Sequence, residues 1–153
     1  MPKLNGLKGN FLYYFGIDPG VETGLALWGK VEKKFIGVGS FRIHEAMKLI
    51  EKRYDPTESE SVLVRVEDAR LRKWIPRMPN ITGELGRREG AGSIKRDAKI
   101  WEDFLQDLGV TYELVPPKNN KTKIKAEYFK SLTGYQGETN EHSRDACMLV
   151  YGY

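Results

Sequence analysis

Residues 11–28, FLYYFGIDPGVETGLALW, join two apolar runs through a glycine-rich turn. The first run is apolar at nearly every position from Leu12 to Ile17, which predicts a central strand covered on both faces. Asp18 ends this run, and an unpaired carboxylate is costly to desolvate, so we expect Asp18 to lie at an opening or to bind a cation. Gly20 and Gly24 bracket the turn, and residues 25–28 resume a second strand, which predicts a hairpin.

Length and composition favour one globular domain over residues 1–153, with residues 1–10 as a flexible N-terminal lead. No apolar run approaches the roughly 20 residues that a transmembrane helix needs, and the N-terminus lacks the apolar segment of a signal peptide. We therefore expect a cytoplasmic protein.

The single cysteine, Cys147, excludes an intramolecular disulfide and a cysteine-based zinc site, and its apolar surroundings predict a small buried side chain.

The remainder of the chain alternates strand and helix patterns. Further strands are predicted at residues 34–41, 61–67 and 111–115, and helices at 43–54, 83–108, 121–132 and 138–150. Residues 55–60 and 69–82 are predicted to be loops. Asn120 is a candidate N-cap of the third helix and Thr139 or Asn140 of the last, while Gly109 and Gly134 suit helix C-termini. This order predicts a mixed five-stranded α/β sheet.

Three carboxylates lie where a predicted element opens onto the surface. Asp18 and Glu67 each end an apolar strand, and Asp145 lies early in the last helix with His142 three residues before it on the same face. If the two strands are neighbours, these side chains converge at one end of the sheet. Oxygen-rich clusters of this kind suit Mg²⁺ or Mn²⁺, and two such ions can stabilise both oxygens of a phosphodiester displacement.

The residues that carry this pattern resemble the RuvC-type Holliday-junction resolvases. The similar segments are GIDPGVETG at 16–24, the glutamate of Val66-Glu67, HSRDA at 142–146 and LGRREG at 85–90, which resembles the start of that family's long interface helix. The resemblance spans about residues 11–151. It implies an α/β fold with a ribonuclease H-like five-stranded mixed sheet flanked by helices.

The resemblance also implies an activity and a set of ligands. Asp18 would bridge two Mg²⁺ ions, Glu67 and Asp145 would each hold one, and His142 would complete the site, with Mn²⁺ able to substitute. Such enzymes are homodimers that nick two opposed strands of a four-way DNA junction symmetrically, leaving 5′-phosphate and 3′-hydroxyl ends. Gly86, Gly90 and Ser93 would let the long helix approach a neighbouring helix closely.

Basic residues are concentrated in two segments, which suggests a polyanionic partner. The candidate DNA-binding residues are Arg70, Arg72, Lys73, Trp74, Arg77, Lys118, Lys121 and Lys125. Lys118 and Lys121 fall where the family places basic residues near the cleavage site, and helical spacing would put Lys125 on the same side. The family often carries an aromatic wedge three residues after the catalytic glutamate, whereas this chain has Arg70 there. Trp74 is the candidate for the stacking role.

Simpler interpretations exist for each site residue. Asp18 could cap its turn, Glu67 could pair with Arg65 or Arg70, and Asp145 could pair with Arg144 or Lys121. Glu141 or Glu138 could replace His142 as the fourth ligand.

Two other functions are compatible with parts of the pattern. A non-cleaving protein that binds branched DNA would keep the fold and the acids. The glycine-rich turn also resembles the phosphate loop of actin-like kinases, but those proteins need a second lobe for which 153 residues leave no room.

Overall fold

The computed structural model of the protein describes residues 11–72, 81–118 and 123–153, without the side chains of residues 58–60 and 81–91. The predicted N-terminal lead, most of the predicted loop at 69–82 and the predicted cap Asn120 lie outside the described residues. In the described part of the chain, no helix is both long and apolar enough to cross a membrane.

A single mixed sheet of five strands forms the centre of the molecule. The strands are β1 (Tyr13–Asp18), β2 (Glu22–Gly29), β3 (Lys34–Arg42), β4 (Val62–Glu67) and β5 (Thr111–Val115). Their order is β3-β2-β1-β4-β5, with β1 antiparallel to β2 and parallel to β4. The predicted mixed five-stranded α/β sheet and the central position of β1 are confirmed.

Helices cover both faces of this sheet. They are α1 (Ile43–Arg53), α2 (Ile81–Leu108), α3 (Ala126–Thr133) and α4 (Glu141–Met148). One core cluster packs the side chains of Phe15, Ile17 and Val64 against α1 and α2, including Trp101. The other packs the alternate strand positions, among them Ala26, against α3 and α4. The side-chain alternation of each strand therefore decides which helical layer a residue contacts.

Several element boundaries differ from the predictions. Strand β2 begins at Glu22 rather than after Gly24, so the turn is shorter and Gly24 lies inside the strand, opposite Asp18. Residues 56–61 form a short 3-10 helix instead of a loop. Helix α3 begins at Ala126 and α4 at Glu141, each later than predicted. Gly109 and Gly134 follow their helices with positive φ angles of 78° and 73°, as glycine permits.

The predicted burial of the Cys147 side chain is confirmed. Its side chain is fully buried on α4, and burial raises the pKa of the thiol well above its ordinary value. The residue is therefore a small core side chain and carries no reactive thiolate at neutral pH.

Candidate metal centre

Asp18 lies at the end of the central strand, where its carboxylate meets the first turn of α4. Its side chain is 14% exposed, and its Oδ2 is 3.3 Å from Nδ1 of His142, a residue 124 positions further along the chain. The preceding residue, Ile17, faces the α1 and α2 layer, so alternation turns Asp18 towards α4. The carboxylate thus contacts the helix that carries two of the other candidate ligands.

Glu67 occupies the equivalent place on the neighbouring strand. The parallel register pairs Ile17 with Val66, so Asp18 and Glu67 follow at the same level. Val66 is buried in the same layer as Ile17, which directs Glu67 to the α4 side of the sheet with Asp18. Glu67 is half-buried and also pairs in register with Val115 of β5. The two strands that end in these acids are therefore neighbours, as the convergence of the acids requires.

Helix α4 approaches the sheet at two glycines. A Cβ at Gly24 would meet the carbonyl oxygen of His142, and a Cβ at Gly16 would meet that of Ala146. The N-cap of the helix is Asn140, whose side chain accepts a hydrogen bond of 2.9 Å from the backbone N–H of Ser143. The first two turns of α4 can therefore lie directly on the ends of β1 and β2.

Asp145 follows His142 by three residues on α4 and is half-buried. Of the alternative ligands, Glu141 forms an ion pair of 2.9 Å with Lys123, and this contact lowers the pKa of its carboxyl group. Glu138 is exposed and precedes the helix. His142 directly contacts Asp18.

The four candidate ligands are three carboxylates and one imidazole. Side chains of these types suit a divalent cation that prefers oxygen ligands. Among residues 11–72, 81–118 and 123–153, however, no three His, Cys, Asp or Glu side chains form a group that could hold a metal ion. The structure brings Asp18 and His142 into contact and places Glu67 at the end of the strand next to Asp18, with Asp145 one turn after His142 on α4.

The candidate DNA-binding lysines in the segment before α3 do not share a helical face. Lys118 and Lys125 are exposed, and both precede Ala126, where the helix begins, so the helical spacing predicted for them is wrong. Lys121 lies outside the described residues. Arg144 fastens this segment to α4, because its Nε donates a hydrogen bond of 2.8 Å to the carbonyl oxygen of Ile124.

Arg70 is already engaged by carboxylates. Its guanidinium donates to both oxygens of Asp68, at 2.7 to 3.1 Å, and to Glu102 of α2 at 3.3 Å. Asp68 is 1% exposed, and the contact raises the pKa of Arg70. Arg72 is exposed at the end of this segment. The other candidates of the loop, Lys73, Trp74 and Arg77, lie outside the described residues.

Two arginines that the sequence analysis considered only as ion-pair partners of Glu67 and Asp145 form hydrogen bonds between the elements around the site. Arg65 bonds Glu113 of β5 at 3.0 Å and the carbonyl oxygen of Leu149, just beyond α4, while Arg144 holds Ile124 and Thr139. In the sequence, the role of Arg65 is indicated only by its position as a single basic residue inside the apolar strand sequence SVLVRVE. A charge at such a position needs buried partners.

Comparisons with known proteins add little to this geometry. No protein-family model matches the chain, and no curated protein matches it. One similar solved structure is the cytoplasmic domain of EpsL, an inner membrane component of the type II secretion system of Vibrio cholerae. The match has 14% sequence identity and a TM-score of 0.38, and it covers 71% of this chain and 60% of that one.

Proposed function

We propose that this protein is a divalent-metal-dependent endonuclease that resolves four-way DNA junctions. The observation that carries the proposal is the contact between Asp18 and His142, on the sheet end and face where Glu67 also lies. Strand-ending acids that converge with an early helical His and Asp are the ligand pattern of the RuvC-type resolvases, which the sequence resembles.

The residues have separable roles in this proposal. Asp18, Glu67 and Asp145 would supply oxygen ligands, and His142 would supply a nitrogen ligand. Mg²⁺, when bound, would stabilise negative charge on the scissile phosphate and lower the pKa of a water molecule. Gly16 and Gly24 fix the distance between the ligands on the sheet and those on α4. Hydrolysis consumes one water, breaks the P–O3′ bond and leaves a 5′-phosphate and a 3′-hydroxyl.

The DNA would be held by basic residues around this end of the sheet. Lys118 and Lys125 are exposed, and the Arg144–Ile124 contact holds their segment beside α4. Arg72 extends the basic surface after β4. Two symmetric nicks need two active sites, so a homodimer belongs to the proposal.

The proposal is tested with a synthetic four-way junction, Mg²⁺ and the variant Asp18→Asn. Asparagine keeps the shape of the side chain and removes its charge, so junction binding measured in Ca²⁺ should persist. We expect nicking to fall at least about a hundredfold, the scale of losing one group that stabilises transition-state charge. Asp107→Asn, an exposed acid on α2, is the matched control and should nick like the wild type.

A junction that binds the wild-type protein but stays intact in millimolar Mg²⁺ or Mn²⁺ would refute the enzyme. That result, with equal binding by Asp18→Asn, would identify a non-cleaving branched-DNA-binding protein of the same fold. A pure binder should lose affinity with salt without needing the metal.

A further inference from the structure

A cavity of about 450 Å³ opens on the α1 side of the sheet. Its floor is formed by Phe15, Leu25 and Leu27, which belong to the core cluster under α1 and α2. Asp18 faces α4 on the other side of the sheet. The cavity is therefore separate from the candidate metal centre and plays no part in the proposed nuclease.

Gly37 of β3 leaves this space open, whereas at Gly39 the ring of Phe41 occupies the place that a Cβ would take. The antiparallel register pairs Leu25 with Gly39 and Leu27 with Gly37, so both glycines lie on the face where these leucines point. A side chain at Gly37 would complete the apolar layer, but at this position the backbone is bare. A Cβ at Gly37 would find its nearest neighbour, Cβ of Leu27, at 3.9 Å, which is ordinary contact. The empty volume is thus a consequence of residue choice and lies in the range of small-ligand sites.

The rim of the cavity is cationic on one side. Lys52 and Arg53 come from the last turn of α1 and are exposed, while Leu49 and Phe41 continue the apolar wall. The guanidinium carbon of Arg53 lies 5.0 Å from the centre of the Tyr13 ring, a cation–π contact that helps to orient the side chain. A molecule that complements both the apolar lining and the cationic rim has an apolar body and one anionic group.

We propose that this cavity binds a small amphiphilic carboxylate, with an acyl or aryl body against Phe15, Leu25 and Leu27 and its carboxylate at Lys52 and Arg53. The apolar body of the ligand would cover the apolar lining of the cavity, and removing both surfaces from water is the main source of affinity. The exposed cations orient the ligand and favour an acid over the matching alcohol.

The test titrates the protein with decanoate and, in parallel, with decanol, and follows backbone amide shifts by NMR. We expect saturable shifts in β3 and the last turn of α1. The double variant Lys52→Gln/Arg53→Gln should weaken decanoate about fivefold and leave decanol unchanged, the scale of exposed charge pairs. Gly37→Leu should fill the cavity and abolish binding of both probes. It should also keep the melting temperature at or above that of the wild type and leave junction nicking unchanged.

Several outcomes would overturn the assignment. The first is an absence of saturable shifts with decanoate at millimolar concentration, and the second is equal binding by wild type and Gly37→Leu. A third is self-association that Gly37→Leu abolishes while neither protein binds decanoate, since the cavity would then lie between two copies of the chain. If Gly37→Leu does not fold, decanoate binding by Gly37→Ala and by Lys52→Gln/Arg53→Gln tests the assignment instead. Neither variant introduces a large side chain into the core.

Discussion

Gly16 and Gly24 determine how closely the last helix approaches the sheet. At each position a Cβ would meet a backbone carbonyl oxygen of α4, from Ala146 and His142 respectively. Backbone cannot move aside as a flexible side chain can, so alanine at these positions must displace the helix. The glycine motif of residues 16–24 thus serves the packing of α4 as well as the turn.

Gly24→Ala should lower stability by about 1–3 kcal/mol, the usual cost of overpacking, and should reduce nicking because His142 moves away from Asp18. Gly92→Ala is the matched control, since a Cβ there, in helix α2, has no neighbour within 4 Å. It should raise stability by about 0.5–1 kcal/mol, because alanine favours a helix more than glycine does. Urea denaturation midpoints measure both changes, and a loss of stability at Gly92 equal to that at Gly24 would contradict the explanation.

Asp97 is a charged side chain that folding buries. It is 7% exposed on α2, and desolvation raises the pKa of its carboxyl group above the ordinary value, with Arg96 opposing the effect. As pH rises above about 3.8, the unfolded chain releases the Asp97 proton before the folded protein does. The unfolded state then binds fewer protons, so this residue lowers the free energy of unfolding as pH rises.

Asp97→Asn should therefore stabilise the protein more at pH 7 than at pH 4. Urea denaturation at the two pH values gives the comparison, with Asp107→Asn on the exposed side of the same helix as the control for loss of one negative charge. An Asp97→Asn effect that is equal at both pH values would show that ionisation of Asp97 does not affect stability.

At the scale of elements, Arg70 joins the end of β4 to α2. Asp68 follows β4 and is almost completely buried, and Arg70 pairs it while also reaching Glu102 on the helix. This arrangement holds the segment after Glu67 in place. Arg70 stands where the resolvases often carry a wedge residue, and here its guanidinium contacts protein carboxylates.

Arg70→Met should destabilise the protein by about 3 kcal/mol, because it leaves the buried Asp68 carboxylate without its cation. Lys99→Met is the control, since Lys99 is exposed and pairs with Asp103 at the surface. It should cause a much smaller loss, as surface pairs contribute little. Equal midpoints for Arg70→Met and the wild type in urea would show that the buried pair contributes no net stability.

At the scale of the whole molecule, local patterns predicted the sheet well. The apolar runs that end in Asp18 and Glu67 became neighbouring strands, because such runs can be buried only between two helical layers. The start of α3 was less predictable. Its sequence suits a helix from residue 121, but the N-cap of the helix is Lys125, whose backbone is extended. The carbonyl oxygen of the preceding residue, Ile124, accepts a hydrogen bond from Arg144 of α4.

Tertiary contacts of this kind leave no local signal. The bond from Arg65 to Leu149 spans 84 residues, and the cavity at Gly37 depends on the register of β2 with β3. The candidate site was predictable as far as its residues go, because acids at strand ends are local features. The convergence of Asp18 with His142 was expected from their places at element ends, but their contact depends on how α4 packs on the sheet, which no local pattern encodes.

The central claim is that Asp18, Glu67, His142 and Asp145 together bind the catalytic metal. Anomalous diffraction from crystals soaked in Mn²⁺, at a concentration that supports junction nicking, tests it most directly. We expect an anomalous peak in contact with the Asp18 carboxylate and shared with Glu67 or with His142 and Asp145. Crystals whose anomalous peaks all lie elsewhere, or that show none under these conditions, would contradict it.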